Sequence, residues 1–161
     1  MHKITTTRAA RISSFHQNRL NPMKTMINWA GEGVSFSATT ASGHTVVMDG
    51  APEAGGNNLG PRPMELLLAG TGGCTAFDVV TILKKGRHQI SGCEVSLEAE
   101  RAPTDPKVFT HIHFHFKITG TALKPEAVKR AVELSKEKYC SASIMLGKTA
   151  NITYDIDIVD V

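Results

Sequence analysis

The sequence predicts an α+β fold with the element order β-β-β-α-β-β-α-α-β, and three observations carry that prediction. Between Pro61 and Gly86 the only charges before the closing Lys84 and Lys85 are Arg62, Glu65 and Asp78, and the apolar residues spread around the whole circumference of a helix. On both sides of that stretch lie segments that alternate apolar and polar residues, the period of a half-buried strand. A second helical stripe, Val128, Ala131, Val132 and Ser135, follows Pro125.

Taken in order, Thr25–Ala30, Val34–Thr39 and Thr45–Asp49 read as short strands of an antiparallel meander, separated by turns at Gly31-Glu-Gly33 and Ser42-Gly43. Gly50–Gly60 is rich in Gly, Pro and Asn and reads as a flexible loop that ends at Arg62. Pro61 and Pro63 suit a helix start, because first-turn N–H groups have no intrahelical partner. Lys84, Lys85, Gly86 and Arg87 form a cationic last turn and stop. Gly70, Gly72 and Gly73 weaken that helix by about 1 kcal/mol each relative to alanine, so another backbone is expected to pack closely there. A helix this apolar should be covered by protein on most sides.

Ser91–Arg101 and Lys107–Thr119 form a long hairpin across the turn Ala102-Pro-Thr-Asp-Pro106. In its second strand Ile112, Phe114, Phe116 and Ile118 share one face, and His111, His113, His115 and Lys117 share the other. Pro125 to about Lys138 is the second helix, Ala142–Gly147 a third and shorter one, and Asn151–Val159 the last strand.

The chain has 161 residues, 41% hydrophobic and 20% charged, which suits one ordinary domain over residues 23–161. Residues 1–22 hold Lys3, Arg8, Arg11 and Arg19 but no acid and no apolar core. They read as a peripheral basic extension, disordered or upstream of a start at Met23, and not as a secretory signal. A net charge of +3 with scattered basic residues, two Tyr and one Trp argues against nucleic-acid binding. Wholly apolar runs are only a few residues long, which argues against a membrane span. A cytoplasmic protein is expected, with no cofactor and no resident metal.

Three cysteines without a signal sequence suggest a reducing compartment and thiols that do chemistry or fill space. Cys93, at a strand start with no activating partner, reads as structural. Cys74 lies deep inside its helix, beyond the N-terminal dipole, and Asp78 one turn away would raise its pKa. Cys140 precedes a helix with Ser141 as expected cap, and Lys136 and Lys138 are close in sequence, so on local grounds it ionises more easily. The two become a reversible dithiol/disulfide couple if their Cα atoms approach within about 7 Å. His111, His113 and His115 could share a metal such as zinc. Same-face residues on one strand stand about 6–7 Å apart, however, so a solvated strand face is the better reading.

The segment Pro63 to Ala69, P-x-E-L-L-L-A, followed by Gly72-Gly-Cys74-Thr-Ala-Phe-Asp-Val-Val-Thr-Ile-Leu-Lys-Lys85, resembles the OsmC/Ohr family of thiol peroxidases. It is most similar to the branch with a G-G-C-T-A-x-D-V helix. Lys138-Tyr-Cys140-Ser-Ala-Ser143 resembles the region of that family's second cysteine, and the element order from Met23 to Val161 fits. The resemblance implies two antiparallel sheets wrapped around two central helices in an intertwined homodimer.

It also implies a reaction that serves oxidative-stress defence. Cys74 attacks an organic hydroperoxide, becomes a sulfenic acid and condenses with Cys140, and an external dithiol reduces the disulfide. Family members activate the first cysteine with an arginine from the loop before the helix, paired with a glutamate ten residues before the cysteine. Here that glutamate position holds Met64, with Glu65 adjacent, and Arg62 is the natural candidate for the cation. The alternative function is a binding module that holds a hydrophobic small molecule around Cys74 without turnover.

Overall fold

The computed structural model describes residues 22–161, so the expected extension over residues 1–22 lies outside the described residues except for Pro22. The elements are β1 (Thr25–Trp29), β2 (Phe36–Thr40), β3 (Thr45–Met48), α1 (Pro63–Lys85), β4 (Gln89–Arg101), β5 (Phe109–Thr121), α2 (Pro125–Leu134), α3 (Ser141–Leu146) and β6 (Asn151–Asp160). Order and type match the sequence reading, with boundaries moved by one or two residues at most ends. Two short pieces are new: a 3₁₀ turn at Pro52–Ala54 and a π-helical turn at Ser135–Tyr139, which replaces the last turn expected of α2.

The strands form two three-stranded sheets, β1-β2-β3 and β4-β5-β6. The first is an antiparallel meander. The second is mixed: β4 runs antiparallel to β5, but β6 runs parallel to it, with His111 beside Asn151 and Ile118 beside Ile158. Two wholly antiparallel sheets were expected. The difference arises because the chain from β5 to β6 crosses over through α2 and α3 and returns to the end where β5 began, the connection a parallel pair requires.

Core formation follows the alternation of β5. Ile112, Phe114, Phe116 and Ile118 are buried, packed with Val79 and Leu83 of α1, Val128, Ala131 and Val132 of α2, and the partly buried Val95, Leu97, Ile152, Ile156 and Ile158 of the neighbouring strands. Truncating Phe114 or Phe116 to Ala would cost about 3–5 kcal/mol, because a central sheet face closed by two helices cannot collapse into the void. Cys93 lies on this face opposite Ile118, and burial raises its thiol pKa, as a space-filling cysteine requires.

The opposite face of the same sheet carries the histidines. They are tied to β6: His111 Nε2 and His113 Nδ1 lie 3.0 and 2.8 Å from Thr153 Oγ1, and His115 bonds Asp155. It is a polar face laced across the strands, with His111 and His113 sharing Thr153 and His113 and His115 sharing Asp155.

The loop over residues 50–60 was expected to be flexible, yet a single carboxylate organises it. Asp49 is buried and accepts hydrogen bonds from the N–H groups of Gly50 (2.7 Å), Asn57 and Leu59 (both 3.0 Å). The Leu59 bond leads in holding its carboxyl below the usual range; burial opposes it, and the other two N–H groups and the Arg62 charge assist.

Helix α1 buries only one side within the chain. Thr71, Gly72, Thr75, Val79 and Leu83 are buried, whereas Leu67 is 51% and Phe77 71% exposed. A Cβ on Gly72 would meet Leu97 Cδ1 at 2.6 Å, while Gly70 and Gly73 face open space. The expected close approach is therefore made by a side chain of β4, at one of the three glycines. By length and composition α1 is apolar enough to cross a membrane, which the short uninterrupted apolar runs did not reveal. In this fold it packs against β4 and α2.

Candidate active site

The site begins with two neighbouring stripes on α1. Thr71 and Thr75 are one turn apart and face α3; Cys74 and Asp78, also one turn apart, lie next to them. Opposite them the chain leaves α2 through the π-helical turn, where the Cys140 N–H bonds the Ser135 carbonyl at 2.8 Å. An extra residue per turn re-aims the side chain that follows, and π-turns often occur at functional positions for that reason. Here it delivers Cys140, fully buried, onto α1.

Cys140 itself, rather than Ser141, is the N-cap of α3, and its sulfur accepts from Ser143 N at 3.4 Å. Thr75 Oγ1 lies 3.3 Å from the same sulfur and 2.9 Å from the Thr71 carbonyl, so one hydroxyl proton serves two acceptors. The Cys140 thiol can in turn donate to Thr71 O at 4.0 Å. When Cys140 carries a proton it has an acceptor, and when it loses the proton the Thr75 hydroxyl can turn towards it.

Cys74, Cys140 and Asp78 converge: one ligand atom from each, two sulfurs and a carboxylate oxygen, lies within 4.8 Å of the others. The Asp78 carboxylate is oriented by Ser135 Oγ, which donates to it at 2.9 Å. All three cysteines are free thiols.

The two sulfurs are pulled in opposite directions. Burial raises the Cys74 pKa, and its hydrogen bond to Cys140 and the Asp78 charge push the same way against one N–H bond from Ala142. Burial also works against ionising Cys140, but the hydrogen bonds from Cys74, Ser143 and Thr75 outweigh it and its pKa is lowered. The direction agrees with the local argument from the helix N-terminus. The cause does not involve the lysines named there: Lys136 Nζ sits over the Tyr154 ring and Lys138 Nζ over Tyr139. The hydrogen bonds from Cys74, Ser143 and Thr75 supply the effect, in that order, and Thr75 is the residue the sequence reading missed. Its only signal was its place one turn after Thr71 on an otherwise apolar helix.

Arg62 and Glu65 are not brought to this cluster. Arg62 is the N-cap of α1; its N–H bonds Glu65 Oε2 at 2.8 Å, and its guanidinium reaches Asn58 Oδ1. At 1.5 Å per residue they lie about 18 and 13 Å before Cys74 along the helix axis. Within one chain they cap a helix and do not touch a sulfur. Met64, at the family's glutamate position, packs against the core.

Beside the sulfurs a narrow cleft is lined by Thr75, Phe114, Phe116, Val132 and Tyr154, with Lys136 and Ser143 at its polar side. Ser143, Lys136 and Ile152 also border a wider open pocket of about 300 Å³ with Lys148 and Asn151.

A mixed sheet with a cysteine-bearing central helix and a second cysteine at a π-turn defines a thiol protein of the α+β class. Residues 55–155 match the family model for OsmC-like protein. Protein YhfA of Escherichia coli K12 is 47% identical over 137 residues, covering 85% of this chain and 98% of YhfA. The chain belongs to the OsmC family. A structural-genomics structure is 46% identical, with a TM-score of 0.78 over 86% of this chain and 100% of its own. An organic hydroperoxide resistance protein OsmC from Legionella pneumophila shares the fold at 17% identity, with a TM-score of 0.65 over 89% and 100% of the two chains.

Proposed function

We propose that the protein reduces organic hydroperoxides to alcohols in oxidative-stress defence, with Cys74 as the attacking sulfur and Cys140 as its resolving partner. The observation that carries this reading is the proximity of the two thiols, whose sulfurs lie within 4.8 Å of each other, both free, one buried and one partly exposed. Exposure favours Cys74 as the sulfur that meets a substrate, because Cys140 is sealed in the core. The electrostatics then give Cys140 a second task. Cys140 first gives its proton to solvent; as Cys74 attacks the distal peroxide oxygen, the Cys74 proton passes to the Cys140 thiolate, the O–O bond breaks, and the alkoxide leaves as alcohol after taking up that proton. Cys140, again a thiolate, attacks the resulting Cys74 sulfenic acid, the displaced hydroxide leaves as water with a proton from solvent, and an external dithiol reduces the disulfide. One hydroperoxide and two thiols thus become one alcohol, one water and one disulfide.

The hydroperoxide resistance protein of Legionella pneumophila shares this fold, which supports the reading by analogy. A homodimer belongs to the same proposal: Leu67 and Phe77 on α1, with Met26, Ile27 and Trp29 on β1, are apolar and exposed in the single chain. Arg62 and Glu65 can act on Cys74 only across such an interface.

Consumption of cumene hydroperoxide with a dithiol reductant, measured for wild type and Cys74→Ser, tests the function. Mass spectrometry after one equivalent of hydroperoxide should find a Cys74–Cys140 disulfide and a free Cys93. Absence of Cys74-dependent turnover would favour the second reading, a binding module, for which the open pocket of about 300 Å³ bordered by Lys136, Ser143 and Ile152 is the motivating observation.

A further inference from the structure

We propose that Cys74, Cys140 and Asp78 form a binding site for Zn²⁺ in the reduced protein. The inference uses the same two thiols as the proposed reaction but does not depend on turnover.

Geometry comes first. Two sulfurs and one carboxylate oxygen lie within 4.8 Å of one another, and they form the group of three such ligands found among the described residues. Zinc binds thiolate at about 2.3 Å and carboxylate at about 2.0–2.2 Å, so tetrahedral ligands sit roughly 3.4–3.8 Å apart. The observed upper bound of 4.8 Å is about one ångström wider than that spacing. Cys74 and Asp78 are one turn apart on a rigid helix, the separation that places two ligands on one face. Cys140 is presented from the opposite side by the π-turn. Ser135 Oγ holds one Asp78 oxygen, the kind of outer hydrogen bond that orients a metal-ligating carboxylate.

Chemistry selects the ion. Two thiolates with one carboxylate form a soft, negatively charged set that favours zinc over magnesium or calcium. Binding replaces the two thiol protons, which pass to solvent, and three negative charges then meet one divalent cation. A fourth position is left for water on the partly exposed Cys74 side. The site also accounts for Asp78. Beside a nucleophilic thiol a carboxylate is unhelpful, since its charge disfavours the thiolate; beside a metal ion it is a ligand. With zinc bound, the metal draws electron density from both sulfurs and lowers their nucleophilicity towards a peroxide, so it would hold the dithiol in reserve.

Titration of the reduced full chain with Co²⁺, a spectroscopic substitute for zinc, tests this. The expected result is a thiolate-to-cobalt charge-transfer band that saturates at one equivalent, is displaced by Zn²⁺ and is absent after the wild type is oxidised to its disulfide. Asp78→Asn should weaken cobalt affinity about tenfold or more, and Ser135→Ala, which removes only the orienting hydrogen bond, should weaken it less. Circular dichroism checks that both variants fold; should Asp78→Asn fail to fold, Ser135→Ala and the oxidised wild type carry the test. No band at stoichiometric cobalt, affinity unchanged in the folded variants, or uptake that survives oxidation and is lost when His111, His113 and His115 are changed to Gln would each overturn the proposal. A protein that binds cobalt through its thiols but does not turn over hydroperoxide would keep the site and reject the peroxidase. The reverse result would do the opposite.

Discussion

The hydroxyl of Thr75 lies 3.3 Å from the sulfur of Cys140, 65 positions further along the chain, and this contact helps set which of the two neighbouring thiols ionises first. Hydrogen bonds to a charged acceptor contribute more than those to a neutral one, so the effect is felt only when Cys140 has lost its proton. Thr75→Val keeps the shape and deletes the donor. The thiolate absorbance of Cys140 should then develop at higher pH than in wild type, and hydroperoxide turnover at neutral pH should fall roughly three- to tenfold. Thr75→Ser should restore both. An unchanged titration in Thr75→Val would show that Ser143 and Cys74 suffice.

Asp49 is expected to govern the approach to α1. Its carboxyl is held low in the folded chain, so its contribution is complete above the unfolded carboxylate pKa, about 3.9, and is lost as pH falls through the lower folded value. Asp49→Ala leaves three N–H groups without their acceptor. It should lower Tm at pH 7 and expose residues 50–60 to limited proteolysis, with the difference from wild type shrinking under acid conditions. Equal protease sensitivity at pH 7 would mean that the loop holds its shape without the carboxylate.

The exposed side of α1 bears on assembly. A helix with Phe77 71% exposed is a poor surface for a free monomer, and a second copy is its expected cover. Light scattering should report twice the mass of one chain for wild type and a smaller particle for Phe77→Asp. A wild type that stayed monomeric at high concentration would remove both the dimer and the route by which Arg62 could reach a sulfur.

Gly73 separates the same alternatives by stability. A Cβ there meets nothing within the chain, so in a monomer Gly73→Ala should stabilise α1 by about 0.5–1 kcal/mol through helix propensity alone. If a second copy packs on that side, the added methyl should instead weaken association. Tm measured across a range of protein concentrations distinguishes the outcomes, since only the dimer makes Tm concentration-dependent.

What the sequence by itself determined was the set of elements and their inward faces. The alternation of Ile112, Phe114, Phe116 and Ile118 against three histidines admits one buried face, and the Pro63 start with the Lys84-Lys85-Gly86 end admits one long helix. Both signals are local, carried by periods of 2 and 3.6 residues. The two cysteine motifs, with the resemblance they support, also pointed to Cys74 and Cys140 as a pair.

Only the tertiary structure decided how those elements meet. Whether β6 runs with β5 or against it leaves its alternation unchanged, because inward residues recur every second position in either direction. The π-turn that aims Cys140 has no compositional signature, and Thr75 matters because of a sulfur far away in sequence. Arg62 was the natural candidate for the cation as the arginine at the end of the loop before α1, yet the rise along that helix keeps it well apart from Cys74 within one chain. Periodicity tells which side of a segment faces inward. The partner it meets there is set by long-range packing, and that packing makes the site.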